Sequence, residues 1–149
     1  MTQTQCELFV NIDVDDLERA VDFYTRCGLG LRVARRLFGG TQAELAGTST
    51  RIFLMMRADA TPAAPQVPTA RSYARHWTPV HLDFIVADLD AAVRRACHAG
   101  AVLEGAVSEH PFGRLATLAD PFGHGLCLIQ LSERGYEAVE DPPHSAPSS

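Results

Sequence analysis

The chain repeats itself at an offset of 72 residues. The matching positions fall in two segments of the same chemical character, Asp16, Leu17, Ala20, Val21 and Gly28 in the first and Asp88, Leu89, Ala92, Val93 and Gly100 in the second. Each segment begins with an aspartate suited to cap a helix, continues with apolar residues at helical spacing, and ends on a glycine suited to terminate the helix. The repeat predicts two equivalent modules.

Each module is predicted to contain a strand, a helix and three further strands. Residues 8–14 and 80–86 alternate between apolar and polar side chains ahead of the helices, as strands with one buried face do. Three later strands are predicted in each module, at about 31–38, 41–45 and 51–56 and at about 102–109, 114–118 and 126–131. The predicted fold class is therefore α+β, with two repeated βαβββ modules.

The modules fit one domain over residues 1–136, since 149 residues are about one domain in length. The first module covers about residues 7–57 and the second about 80–132. Between them, residues 58–79 contain four prolines and predict a linker with one helical turn near 70–76. Residues 137–149 are rich in proline and serine, which predicts a tail outside the core.

Composition limits the compartment and the partners. The net charge of −5 argues against a nucleic-acid surface and favours a cationic partner if charge selects one. The longest apolar run, 51–57, has arginine at both ends, which predicts no membrane anchor. Four widely spaced cysteines without a CxxC pair, after the polar start MTQTQ, predict no signal peptide and reduced thiols in a cytoplasmic protein.

Two motifs carry a resemblance to a known superfamily. The segment 14–24, VDDLERAVDFY, and the segment 120–124, DPFGH, resemble the first strand-to-helix junction and the final hairpin turn of the vicinal oxygen chelate superfamily. That group contains glyoxalase I, extradiol dioxygenases, fosfomycin resistance enzymes and bleomycin-binding proteins. The resemblance implies a curved mixed sheet whose two modules line a cleft, often completed across two chains, and so a homodimer.

Metal-using members of the superfamily place one ligand at each of four equivalent positions. The resemblance assigns these positions to Phe9, Phe53, His81 and Cys127. Two phenylalanines cannot donate to a metal, and catalytic divalent sites generally use about three protein ligands. We therefore predict no metal and no cofactor. A displaced metal site would need neighbours such as Asn11, Asp83 or Glu44.

The open faces of the strands are predicted to bind the ligand. Strand alternation places Phe9 and Asn11 on one such face, and His81 and Asp83 on the other. The predicted ligand-binding residues are Phe9, Asn11, Phe53, Met55, Trp77, His81, Asp83, Phe112 and Cys127. Aromatic and methionine side chains suit a flat organic molecule, although Phe9 and Phe53 could equally fill the cleft as core.

The leading functional prediction is a metal-independent protein that binds a partly aromatic small molecule, similar to the drug-sequestering resistance proteins of the superfamily. The alternative is an enzyme, a lyase, an isomerase or epimerase, or a dioxygenase, that uses Asp83 or His81 as its base or holds a displaced metal. A structural His81–Asp83 pair without an external role is the plainer interpretation of those residues. A third possibility is a scaffold domain, which an absent pocket would indicate.

Overall fold

The computed structural model describes residues 5–143 and contains two modules in sequence. The first module consists of β1 (Phe9–Val14), α1 (Leu17–Arg26), β2 (Arg32–Leu37), β3 (Gln42–Ala46) and β4 (Arg51–Met56). The second consists of β5 (Leu82–Ile85), α2 (Leu89–Ala99), β6 (Val102–Leu103), β7 (Ser108–His110), β8 (Gly113–Ala119) and β9 (Gly125–Leu131). This element order confirms the α+β class and the doubled module.

Each module forms one mixed sheet. The strand order is β1-β4-β3-β2 in the first sheet and β5-β9-β8-β6 in the second, where β7 pairs with β8. The first strand of each module runs parallel to the last, and the other pairs are antiparallel. Within the described residues neither sheet closes into a barrel, so β1 and β5 are both edge strands.

Both helices have the ends that the repeat predicts. The Asp16 and Asp88 side chains each accept the backbone N–H three residues later, at 3.1 and 3.0 Å, which satisfies a donor that the helix leaves unpaired. Gly28 and Gly100 follow the helices with φ of +86° and +123°, values that a residue with a Cβ rarely adopts. The two modules are thus built by the same local interactions.

The modules are joined through their helices and the β8–β9 turn. Tyr24 on α1 is fully buried, and its hydroxyl donates to the Asp120 carboxylate at 2.6 Å, so this core residue also links the two modules. Burial raises the pKa of Tyr24 well above its usual value, and the charge of Asp120 adds to that shift. Nearby, the Arg19 guanidinium lies 5.4 Å above the Phe122 ring.

One predicted strand is divided. Residues 102–109 form two short strands, β6 and β7, instead of one. Gly105 lies between them at φ +77°, a left-handed conformation that breaks an extended strand.

The helical turn predicted near residues 70–76 is wrong, because this segment contains bends and isolated bridges and no helix. Ala70 forms an antiparallel bridge with Pro62, and His76 forms a parallel bridge with His124 of the second module. The Arg71 side chain also pairs with Asp13 on β1 at 2.7 Å. The linker between the modules is therefore bound to both of them by contacts that the sequence pattern does not reveal.

The predicted tail begins inside a short 3-10 helix at Gly135–Val139, in which Tyr136 packs on Phe112. The rest of that prediction, residues 144–149, lies outside the described residues, as do the first four residues of the polar start. All four cysteines are free thiols, two exposed and two buried. Among the described residues, no helix is long and apolar enough to cross a bilayer.

Candidate functional site

The first sheet has an open face that bears the predicted aromatic residues. In the parallel pair of β1 and β4, Asn11 lies opposite Phe53 and Asp13 opposite Met55. Side chains of directly opposed residues point to the same side of a sheet, and they alternate with the core residues Ile12 and Val14. The structure therefore brings Phe9, Asn11, Phe53 and Met55 to the face turned away from α1.

The two phenylalanines differ in exposure. Their ring centroids are 5.3 Å apart at an interplanar angle of 57°. Phe9 is 44% exposed, whereas Phe53 is only 9% exposed. Phe53 thus forms the floor of the aromatic pair and Phe9 its accessible surface, so the core interpretation holds for Phe53 and not for Phe9.

A charged cluster lies beside the aromatic pair. Glu44 on β3 is opposite both Phe53 and Arg35, and its side chain is only 6% exposed. It forms ion pairs with Arg35 and with Arg51, the latter at 3.3 Å. The Arg51 guanidinium also lies 5.8 Å from the centroid of the Phe9 ring. From the sequence, Glu44 was expected only as a neighbour of a displaced metal, and no pattern indicated a role for the two arginines.

The open face of the second sheet carries three metal-donor side chains. Asp83 on β5 lies opposite Cys127 on β9, and His81 Nε2 is 3.3 Å from Asp83 Oδ1. The donor atoms of His81, Asp83 and Cys127 all lie within 4.8 Å of one another. Burial raises the pKa of the Cys127 thiol, partly offset by its hydrogen bond with Thr117, and the Asp83 charge raises it further.

Trp77 joins this second face from the linker. Its ring packs on Gly125 so closely that a Cβ there would lie 2.5 Å from ring carbons. Its centroid is 5.9 Å from that of His81, and its indole N–H donates to Glu104 at 3.2 Å. Arg75, which pairs with Glu104, stacks 4.9 Å over the same ring. Sequence reasoning found Trp77 but missed the Arg75–Glu104 pair that fixes it.

Phe112 belongs to a different part of the molecule. It stacks on His110 at 4.8 Å and packs against Tyr136 at 5.4 Å. The next residue, Gly113, lies opposite Leu131, four residues along β9 from Cys127. At about 3.3 Å per strand residue this separation is roughly 13 Å, so Phe112 does not join the other candidates.

Two pockets occupy the seam between β1 and β5. One has a volume of about 480 Å³ and is lined by residues that include Asn11, Asp13, His81 and His124. The other, of about 670 Å³, lies along residues that include Val10 and Asp83. The absence of a pocket, which would indicate a scaffold domain, is therefore not found among the described residues.

Two histidines bridge this seam. His124 Nε2 is 2.7 Å from the Asp13 carbonyl oxygen, and His124 Nδ1 is 3.3 Å from His76 Nε2. His76 Nδ1 is in turn 2.9 Å from the Ala74 carbonyl oxygen. Because carbonyl oxygens only accept, His124 Nε2 and His76 Nδ1 are the donors in the two contacts with backbone carbonyls.

Comparison with known proteins agrees with this architecture. A model of the glyoxalase-like domain family matches residues 9–129. The chain belongs to this family. It is also 32% identical over 120 residues to an uncharacterised protein of Mycobacterium bovis, covering 78% of each chain. The anthracycline biosynthesis protein DnrV of Streptomyces peucetius is 43% identical over 64 residues, which are 43% of this chain and 22% of DnrV.

The family match confirms the predicted membership of the vicinal oxygen chelate superfamily, and solved structures share its fold. The antibiotic-binding protein TnmS3 from Streptomyces sp. CB03234 is 26% identical, with a TM-score of 0.60 over 89% of this chain and 99% of its own. The fosfomycin resistance protein FosX from Listeria monocytogenes is 14% identical, with a TM-score of 0.65 over 89% and 95% of the two chains. At 14% identity, the similarity to FosX shows a shared fold and nothing about function.

The four positions that the resemblance assigns to metal ligands do not fit a metal in this glyoxalase-like domain. In the first module they hold the phenyl rings of Phe9 and Phe53, which are 5.3 Å apart and offer no donor atom. The second module keeps His81 and Cys127, with Asp83 as a third donor from a position outside the set of four. The remaining metal-donor side chains therefore lie together in the second module and do not form a site shared by both modules.

Proposed function

We propose that the protein binds a small, partly aromatic organic molecule on its open sheet faces, without a metal and without turnover. The observation that carries this proposal is the ring of Phe9, which stands at a ligand position of the superfamily, is 44% exposed, and rests on Phe53. A planar molecule gains by stacking on such a ring, since aromatic pairs contribute beyond the area that they bury.

Two comparisons support the class of ligand. TnmS3, 26% identical over nearly its whole length, is an antibiotic-binding protein. DnrV, whose matching segment is 43% identical, is an anthracycline biosynthesis protein. Anthracyclines contain a planar anthraquinone ring system, so a neutral anthraquinone is a suitable probe.

A thermal unfolding experiment tests the proposal. Protein purified without an affinity tag and dialysed against EDTA is heated with and without 2-(hydroxymethyl)anthraquinone. A ligand of the folded state at 100 times its Kd adds about 2.7 kcal/mol to the free energy of unfolding, which raises the Tm by several degrees. An unchanged Tm with this probe and with a panel of polycyclic aromatics would contradict the proposal.

The second candidate function is an enzyme, which the compact group of His81, Asp83 and Cys127 favours. Imidazole, carboxylate and thiolate together are a donor set that zinc accepts, and a metal-free version would use Asp83 or His81 as a base. The 3.3 Å contact between those two residues fits a base held in position, and equally a structural pair.

Metal retention separates this alternative from the first proposal. Wild-type protein is loaded with zinc, dialysed, and analysed for metal beside the His81→Ala variant and a Cys97→Ser control, whose thiol is exposed and outside the group. Stoichiometric zinc that is lost only in His81→Ala would favour the metal enzyme. Equal, substoichiometric zinc in all three proteins supports metal-independent binding.

We also propose that two copies pair through the edges of β1 and β5 in a cytoplasmic homodimer. Large apolar side chains are exposed along these edges, Leu8 at 69%, Val80 at 82% and Ile85 at 55%. Removing such side chains from water is favourable by about 25 cal/mol per Å² of apolar surface that is buried. Sedimentation equilibrium tests the pairing. We expect the wild type to be a dimer and the Val80→Asp variant to be a monomer, because the added charge would be buried at the interface. Cell fractionation tests the cytoplasmic compartment.

A further inference from the structure

The cluster of Arg35, Glu44 and Arg51 gives the open face of the first sheet a charge opposite to that of the whole chain. One buried carboxylate holds two guanidinium groups, which leaves a local charge of +1 within a chain of net charge −5. The other charged residue that this face takes from β1, Asp13, is neutralised by Arg71 at 2.7 Å. The uncompensated charge is therefore cationic.

Both guanidiniums keep donors available to a ligand. Arg35 contacts Glu44 through Nε and Arg51 through Nη1, and a guanidinium has five N–H donors. Among residues 5–143 neither arginine has a second acidic partner, and their side chains are 59% and 53% exposed. Because Glu44 fixes one edge of each group, their remaining donors are held in place beside the sheet.

These donors adjoin the aromatic surface. The Arg51 guanidinium carbon is 5.8 Å from the centroid of Phe9, and Glu44 lies directly opposite Phe53 in the β3–β4 register. A ring stacked on Phe9 would therefore place its substituents within reach of Arg51. Guanidinium groups bind carboxylates by paired, charge-assisted hydrogen bonds, which are stronger than neutral ones.

We infer that the ligand of this face is an aromatic carboxylate, whose ring stacks on Phe9 and whose carboxylate is bound by Arg51 and Arg35. This inference rests on the proposed function and deepens it by naming the ligand class. It differs from the expectation from net charge that a cationic partner would be favoured, because the charge beside the aromatic pair is positive.

Two isosteric probes test the inference. Anthraquinone-2-carboxylate and 2-(hydroxymethyl)anthraquinone share the ring system and differ in charge, and their Kd values are measured by calorimetry at low and high salt. We expect the carboxylate to bind about tenfold more tightly, with a preference that shrinks as salt screens it. In Arg51→Gln the preference should fall to less than threefold, and Arg51→Lys should restore part of it.

Arg36→Gln is the matched control, because Arg36 lies beside Arg35 on β2 but pairs with Glu18 of α1 on the other face of the sheet. The carboxylate preference should survive in that variant. Equal Kd values for both probes in the wild type would overturn the inference and leave the proposed function standing. A preference retained in the Arg35→Gln/Arg51→Gln double variant would also overturn it. Failure of both probes to bind would contradict the proposed function itself.

Discussion

The chemistry of the open face of the first sheet depends on the single residues that meet across its strands. Phe9 and Phe53 could be placed on one face from strand alternation alone, and their contact is present in the structure. Arg35 could not. The β2–β3 register shifts between Val33 and Arg35, and this bulge places Arg35 opposite Glu44, where unbroken alternation would have placed Ala34. Glycine inside a strand is the usual sequence signal of a bulge, and β2 contains none.

At the same scale, Cys27 provides a prediction about pH. Burial raises the pKa of its thiol to about 12 from the usual 9.0. The unfolded chain loses this proton near pH 9 while the folded chain keeps it, so stability must fall as pH rises between these values, by about 1.4 kcal/mol per pH unit.

Urea unfolding at pH 8, 9, 10 and 11 measures this effect. The wild type should lose stability more steeply than Cys27→Ala over that range, even though the variant is less stable at pH 8 because of its cavity. A Cys97→Ala control, which alters an exposed thiol, should follow the wild-type slope. Parallel slopes for wild type and Cys27→Ala would contradict the assignment.

At the scale of elements, the two helices could be predicted because local interactions determine where each begins and ends. Aspartate caps, helix faces and terminating glycines act within one turn of the chain, and the sequence pattern predicted both helices. The linker is different, because it contacts the modules through residues distant in sequence, Arg71 with Asp13 and His76 with Gly123.

Gly28 provides a prediction for the α1–α2 contact. A Cβ at this position would lie 3.0 Å from the Arg95 Cβ, while Gly30, at a similar positive φ, has no atom within 4 Å of its Cβ position. Replacing either by alanine incurs left-handed strain of about 1–2 kcal/mol. Gly28→Ala should lose at least about 1 kcal/mol more, because it also overpacks the helix contact.

Denaturant unfolding of the two variants under identical conditions gives the comparison. Gly30→Ala serves as the control for backbone strain alone, since both residues are glycines in the left-handed region. Equal losses of stability would show that the close approach of Arg95 to Gly28 costs nothing, against the packing described above.

At the scale of the whole molecule, the two modules share the same scaffold but carry different side chains on their open faces. The first module offers the Phe9 ring with arginines beside it, and the second offers Trp77 with the group of His81, Asp83 and Cys127. The family and the fold followed from the repeat and its two motifs. The division of chemistry between the modules did not, because it depends on which residues meet across strands.

The central claim is that an aromatic molecule binds on Phe9 without a metal. Calorimetric titration of 2-(hydroxymethyl)anthraquinone into EDTA-dialysed protein tests it most directly. Phe9→Ala is the variant, and Tyr136→Ala, which alters an exposed aromatic residue in the 3-10 helix after the second module, is the control. We predict saturable binding to the wild type and to Tyr136→Ala, and at least tenfold weaker binding to Phe9→Ala. Binding that requires added metal, or that is unchanged in Phe9→Ala, would contradict the account.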